Sequence, residues 1–252
     1  FSLTRNGLQM ANNTQEVQYS PLSRDYAEST SSWMPSSNLK RAKSRSVTDT
    51  AFTLTTLQSS VYKGSQSQIV NIGNTMMMVW VKDDSSRDNN NRLSLVYSIY
   101  NASTSTWSEP KTIDNDGTTD MAPSVVADGN TAYIAWINQK ALFETADENG
   151  MNEFIKNCEI KTVKYDLTSD TFSEMNTVTD NDSYDHSPVV DLENSKPVVY
   201  WVNCSSNELQ SATGNSIMKC QFGGEAQVVK NDINYIYSMD VSDGELSYSM
   251  DA

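Results

Sequence analysis

After Arg92 the chain contains no arginine. The six that exist, at positions 5, 24, 41, 45, 87 and 92, are followed by 25 carboxylates and only eight lysines, in a chain of 252 residues with net charge −14. A guanidinium grips a planar anion with two hydrogen bonds at once, so the segment beyond Arg92 cannot build an arginine cluster around an anionic group. Nucleic acid is excluded as a partner on similar grounds, because phosphate binding needs clustered Lys and Arg. Histidine is nearly as scarce. His186 stands alone, which rules out a histidine-based zinc site and leaves a Ser-His-Asp triad a single centre, with no Gly-x-Ser-x-Gly elbow to accompany it. No run of 18 apolar residues exists, so no membrane-spanning helix is expected. The three cysteines, Cys158, Cys204 and Cys220, lack a Cys-x-x-Cys spacing, and their odd number permits one disulfide and one thiol, or three thiols.

The chain opens on Phe1 without the apolar core of a signal peptide, so it is expected to be a trimmed piece of a longer protein. Its acidic, well-solvated balance suits a secreted or cell-surface protein. Residues 1–50 are polar, Ser-rich and aperiodic, with a basic patch at 40-KRAK-43 and Arg45, and read as an interaction arm or an ordered excursion. Sequons at Asn12, Asn101, Asn181 and Asn203 are expected by chance in a chain this rich in Asn and Ser.

Against these absences stands a repeat. Setting 67-SQIVNIGNTMMMVWVKD-83 above 123-PSVVADGNTAYIAWINQ-139 and 188-PVVDLENSKPVVYWVNC-204 aligns Trp80, Trp136 and Trp201, each ending an apolar run. Gly73-Asn74, Gly129-Asn130 and Asn194-Ser195 hold the same turn, so each copy reads as a β-hairpin. A second hairpin follows: 97-YSIYNASTSTWSEPKTIDND-116 matches 162-TVKYDLTSDTFSEMNTVTDND-182, with a weaker copy at 215–232. A unit of two hairpins at this period predicts an all-β protein, a β-propeller of four-stranded antiparallel blades. The blades are expected at 67–114, 123–180 and 188–231, a partial blade at 236–252, and the last strand of a preceding blade at 51–58. Three and a half blades fall short of the usual ring, so the rest of the propeller or a second chain is expected to complete it. The three Trp read as inter-blade packing, and Met76, Met77 and Met78 as core and edge filler.

The hairpins Tyr100–Trp107 and Tyr165–Phe172 resemble the third-to-fourth-strand hairpin of Kelch-type propellers, and the Asp-box hairpin of sialidase-type propellers. The Kelch Gly-Gly is replaced by Val81-Lys82, Ile137-Asn138 and Val202-Asn203, and the Ser-x-Asp-x-Gly spacing is absent. The nearest likeness is to repetitive propellers of secreted or surface bacterial proteins, sialidase-like in architecture with no fixed activity. Sialidase chemistry itself would need three arginines converging on one pocket, which the segment after Arg92 cannot supply.

In such a blade the links between blades, and those from second to third strand, share one rim. Here that rim gathers 114-DNDGTTDMA-122, 180-DNDSYDHS-187, 231-NDINY-235 and the long loops 82–91, 140–157 and 203–214, and function is expected on it. Asp114, Asp116 and Asp120, with Gly117, have the alternating oxygens and tight turn of a Ca²⁺ loop; the plainer reading is a turn whose Asp side chains cap their own backbone. The candidate ligand-binding residues are Asp120, Tyr184, Asp185, His186 and Tyr235, with the loop aromatics Phe143 and Phe154. For His186 and for the acids, a plain polar role near the axial opening stays open. Cys158 and Cys204 fall near loop ends on this rim, which allows a bridge, and Cys220 reads as a buried thiol. No cofactor is required, with Ca²⁺ the one ion the pattern suggests. The expected function is a non-enzymatic binding or scaffold propeller that presents its acidic rim to a glycan or an extracellular protein. The alternative is a glycoside hydrolase or polysaccharide lyase with part of its site outside this segment.

Overall fold

A computed structural model describes residues 56–62, 65–145, 147–209 and 211–251, together with two short strands, β1 (Leu3–Thr4) and β2 (Gly7–Leu8), that pair with each other. The rest of the expected N-terminal arm, and most of the strand expected at 51–58, lie outside the described residues.

The remainder is a β-propeller. Blade one contains β3 (Gln68–Ile72), β4 (Thr75–Asp83), β5 (Leu93–Asn101), β6 (Thr106–Trp107) and β7 (Lys111–Thr112). Blade two contains β8 (Asp120–Asp128), β9 (Thr131–Gln139), β10 (Cys158–Asp166), β11 (Thr171–Phe172) and β12 (Asn176–Thr177). Blade three contains β13 (Tyr184–Glu193), β14 (Lys196–Cys204), β15 (Asn215–Gln221) and β16 (Gln227–Ile233), and a hairpin follows, β17 (Ile236–Ser242) and β18 (Glu245–Met250). All pairings are antiparallel. In the first two blades the fourth strand is split. β6 and β7 both pair with β5, interrupted near Pro110, which has no N–H to give a ladder. The first strands β3, β8, β13 and β17 neighbour one another in sequence order, as around a propeller axis.

Blades two and three open earlier than expected, at Asp120 and Tyr184, because each first strand carries a bulge, between Met121 and Ser124 and between His186 and Val189. The long segment 140–157 is also more than a loop. It folds into helix α1 (Glu148–Lys156), started by Asp147, whose side chain accepts the Gly150 N–H at 2.8 Å, and anchored by buried Phe154 and Ile155.

One core runs through all three blades, with Trp136, Trp201, Ile134, Ile160, Tyr97 and Tyr165 among its members, and a second joins blade three to the β17–β18 hairpin. The seams between blades are also hydrogen-bonded. Leu95 N–H donates to Asp120 Oδ2 and Gly73 N–H to Gly129 O across the first seam. Val190 N–H donates to Ser124 Oγ across the second, and Gly244 N–H to Asp191 Oδ2 across the third. At Gly73, with φ +53°, a Cβ would stand 2.5 Å from Asn130 Oδ1 of the next blade, so the turn needs glycine for both its conformation and its neighbour.

The Trp series is buried as the repeat implies, yet its members are not equivalent. Trp136 and Asn138 project from one face of β9, and Asn138 lies directly across from Asp120. Asp120 Oδ1 accepts from Trp136 Nε1 at 2.8 Å and from Asn138 Nδ2 at 3.0 Å. Blade three repeats this with Asp185, which accepts from Trp201 Nε1 and Asn203 Nδ2 at 2.8 Å each. In blade one the residue opposite Lys82 on the corresponding side is Val61, and the buried Trp80 Nε1 has no acceptor among the described residues. Trp136→Phe or Trp201→Phe is therefore expected to cost about 2–3 kcal/mol, through a lost bond to a buried carboxylate. Trp80→Phe, which removes an unmet donor, should cost less than about 1 kcal/mol. Urea unfolding of the three variants decides it, and equal losses would sink the distinction.

Candidate functional site

The bulges of the first strands shape the axial end of the propeller. Each bulge holds a non-glycine residue in the left-handed region just before a proline: Ala122 (φ 47°) before Pro123, and Ser187 (φ 55°) before Pro188. Such backbone costs on the order of 1–3 kcal/mol and is retained where side chains must be re-aimed. Here the four residues line a cleft of about 510 Å³ with Tyr62, Gln66, Tyr184, His186, Tyr235 and Tyr237.

Within the cleft the Tyr184 and His186 rings are stacked, centroids 4.4 Å apart at 23°. Tyr235 meets Tyr237 edge to face at 5.2 Å. Tyr237 is 65 % exposed, and its hydroxyl donates to Asp251. His186 Nδ1 lies 2.9 Å from Ser187 Oγ. Burial pushes the His186 imidazole down to about 4, and pushes the Tyr184 phenol well above the usual tyrosine range. At neutral pH the imidazole is uncharged and both rings offer neutral faces.

Five expected residues therefore line the cleft, Asp120, Phe154, Tyr184, His186 and Tyr235, of which the last three are partly exposed. The buried candidates take different roles. Asp120 reaches the wall of the cleft but is fully buried, and its two oxygens are spent on Trp136, Asn138 and the Leu95 N–H. Asp185 is likewise fully buried, held by Trp201, Asn203 and the Asn181 amide. Both carboxylates join strands and are inaccessible to a ligand. Phe143 and Phe154 are buried and pack on each other at 5.1 Å, seating α1 on the blade. Phe154 still lines the cleft, whereas Phe143 does not.

At the expected Ca²⁺ turn of Asp114, Asp116 and Asp120 a side-chain cation is already in place. The Lys161 ammonium sits 2.9 Å from both Asp114 and Asp116, supplying the positive charge the turn was read to need. Asp114 and Asp116 also take the backbone N–H groups of Asp116 and Thr118, as turn-capping side chains do. Among the described residues no three His, Cys, Asp or Glu side chains converge as a metal site. In the next inter-blade loop Lys140 fills the matching role, 3.0 Å from the buried Glu159 and 3.7 Å from Asp180 and Asp182. Arg87 donates to the carbonyls of Leu93 and Thr118, tying the 82–91 loop to the same rim. All three cysteines are free and buried, so the Cys158–Cys204 bridge does not form; Cys158 instead accepts from Gln139 Nε2.

Neither a family model nor a curated protein sequence matches the chain. Solved structures do. A Trypanosoma rangeli sialidase in complex with 2,3-difluorosialic acid is similar with a TM-score of 0.51 at 11% identity, over 74% of this chain and 34% of that one. A polysaccharide lyase, an ulvan lyase bound to -[GlcA(1-4)Rha3S]-, is similar with a TM-score of 0.51 at 10% identity, over 75% of this chain and 50% of that one. The likeness is one of fold. The chain spans between a third and a half of the length of these neighbours. No helix among its described residues is long and apolar enough to cross a membrane.

The residues that reasoning from sequence missed are Tyr62, Gln66, Gln68 and Tyr237, together with Lys140 and Lys161 as partners of the loop acids. A signal for part of the site was available. The bulge segments 119-TDMAP-123 and 184-YDHSP-188 share Asp and Pro and differ at Thr119/Tyr184, Met121/His186 and Ala122/Ser187. The shared Asp ties the hairpin and the shared Pro lines the cleft in both blades; the divergent positions add Tyr184 and His186 to it.

Proposed function

We propose that this chain is a glycan-binding β-propeller module of a secreted or cell-surface protein, with the saccharide seated in the axial cleft. The observation that carries it is the cleft itself: stacked Tyr184 and His186, paired Tyr235 and Tyr237, and the amides of Gln66 and Gln68 around one concave opening. Apolar ring faces beside a few polar groups are what a small-ligand site requires. The rim acids are less suited to a partner, since those of both inter-blade loops already hold a lysine. The fold neighbours, a sialidase and a polysaccharide lyase, act on glycans by their names, which supports the same ligand class.

On an immobilised glycan panel the chain is expected to retain at least one glycan class. Tyr184→Ala should weaken that binding by about 10-fold or more, equivalent to roughly 1.4 kcal/mol. Asn101→Ala, on an exposed hairpin turn, should leave it unchanged. Retention that survives Tyr184→Ala and Tyr237→Ala would remove the cleft from the account.

A second reading is favoured by His186. Its imidazole lines the cleft beside Ser187 Oγ, where it could take a proton from a bound ligand, so a lyase or hydrolase using His186 is the alternative, although burial makes it a weaker base than a free imidazole. Turnover of a bound polysaccharide, lost in His186→Ala with binding retained, would establish it.

A further inference from the structure

The cleft's charge narrows the ligand class. Among the described residues that line it, Asp120 is the one with an ionisable carboxylate, and no Lys or Arg is present. Asp120 is turned to Trp136, Asn138 and the Leu95 N–H, so it offers a ligand nothing. Four cations of blades one and two are committed. Arg87 is held by the carbonyls of Leu93 and Thr118, and Arg92 Nε lies 2.6 Å from Asp83. Lys161 and Lys140 are bound by the loop acids. Around Lys140 three carboxylates, those of Glu159, Asp180 and Asp182, face one ammonium, so that part of the rim keeps a surplus of negative charge. His186 adds no charge at neutral pH.

An anionic sugar brought to this opening would leave water for a site that has no compensating cation among the described residues lining it, at a desolvation cost they do not offset. It would also approach through a negative field. A sugar bearing only hydroxyls meets ring faces, tyrosine hydroxyls and two glutamine amides, all neutral hydrogen-bonding or stacking groups. We infer that the cleft takes an uncharged, hydroxyl-rich saccharide and rejects glycans that carry carboxylates or sulfates. This inference rests on the glycan reading above and specifies its substrate class. It sets the chain apart from its two fold neighbours, whose bound molecules are a sialic acid derivative and a glucuronate-containing sulfated unit.

The test is calorimetric titration of the purified full chain with neutral arabinan, galactan, xylan and glucan oligosaccharides, and in parallel with sialyllactose and oligogalacturonides. The expected result is saturable binding of at least one neutral oligosaccharide. Its affinity should change less than about 2-fold between about 0.05 and about 0.5 M salt, because no charge pair is involved. The acidic sugars should bind at least about 10-fold more weakly, a difference of roughly 1.4 kcal/mol. Preference for an acidic sugar, with affinity falling as salt rises, overturns the charge inference and leaves the glycan reading standing. Binding of none of these sugars overturns both. Tyr184→Ala, checked for an unchanged melting temperature, should abolish the neutral-sugar heat; a heat that persists places the ligand elsewhere and also overturns the inference.

Discussion

Asp120→Ala is expected to destabilise the chain by about 3–5 kcal/mol in urea unfolding, because it strands three buried donors at once. Trp136 Nε1, the Asn138 amide and the Leu95 N–H all give their hydrogens to this one side chain, and its burial keeps water from replacing it. The Leu95 bond reaches the preceding blade, so the loss would fall on a seam as well as on a hairpin. Asp120→Asn keeps one acceptor oxygen but turns an amide hydrogen toward other donors, and should be intermediate. Lys111→Ala provides the scale. Its pair with Asp170 at 3.2 Å has both side chains more than half exposed, and its removal should cost less than about 1 kcal/mol. A ligand-binding aspartate would give the opposite pattern, unchanged unfolding with lost binding, and that outcome would refute the structural role.

The same two carboxylates make stability depend on pH. Burial first, then repulsion from Asp114 and Asp116, outweighs the donors around Asp120 and pushes it up to about 7; burial pushes Asp185 up to about 6. In an unfolded chain both would titrate near the ordinary aspartate value of about 3.9. Between that value and the raised ones the folded state holds more protons than the unfolded state, so stability falls as pH rises through this window. It is greatest near pH 4 and levels off above about 7, with a slope of up to roughly 1.4 kcal/mol per pH unit for each proton. The melting temperature should accordingly be higher at pH 5 than at pH 8. General repulsion in an acidic chain acts in the same direction, so the decisive comparison is Asp185→Asn, which should flatten the dependence between about pH 4 and 6. An unaltered pH profile in that variant would show that Asp185 titrates normally.

The hairpins were legible because they obey local rules. Two apolar runs around Gly73-Asn74 or Gly129-Asn130, with Trp at a fixed distance, can form little else, and they recur as β3–β4 and β8–β9. The first-strand bulges were not legible, because a register shift is set by how the strand meets its neighbour and leaves no periodic trace. Asp120 and Asp185 were thus read as loop acids, when the strands had already begun. The burial of Phe143 and Phe154 was hidden for a related reason. Aromatics in a long link look exposed until the link folds, and here Asp147 as a cap, with Met151, Phe154 and Ile155 at helical spacing, carried a helix signal that the link's length concealed. The lysines that answer the loop acids come from just past the end of β9 and from the middle of β10, too far along the chain for spacing to pair them. Tyr184 and Tyr235 were legible as aromatics of the rim loops and His186 as the one histidine of the chain.

The blades are alike, but the joints between them are not. One joint is fastened by a carboxylate and a glycine carbonyl, the next by a serine hydroxyl, and the third by an aspartate gripping a turn. Each acts as a keyed coupling cut for one specific neighbour. A blade moved, duplicated or exchanged within this chain would keep its own hairpins and still fail to engage, so the order of the units is written in the couplings and not in the repeat.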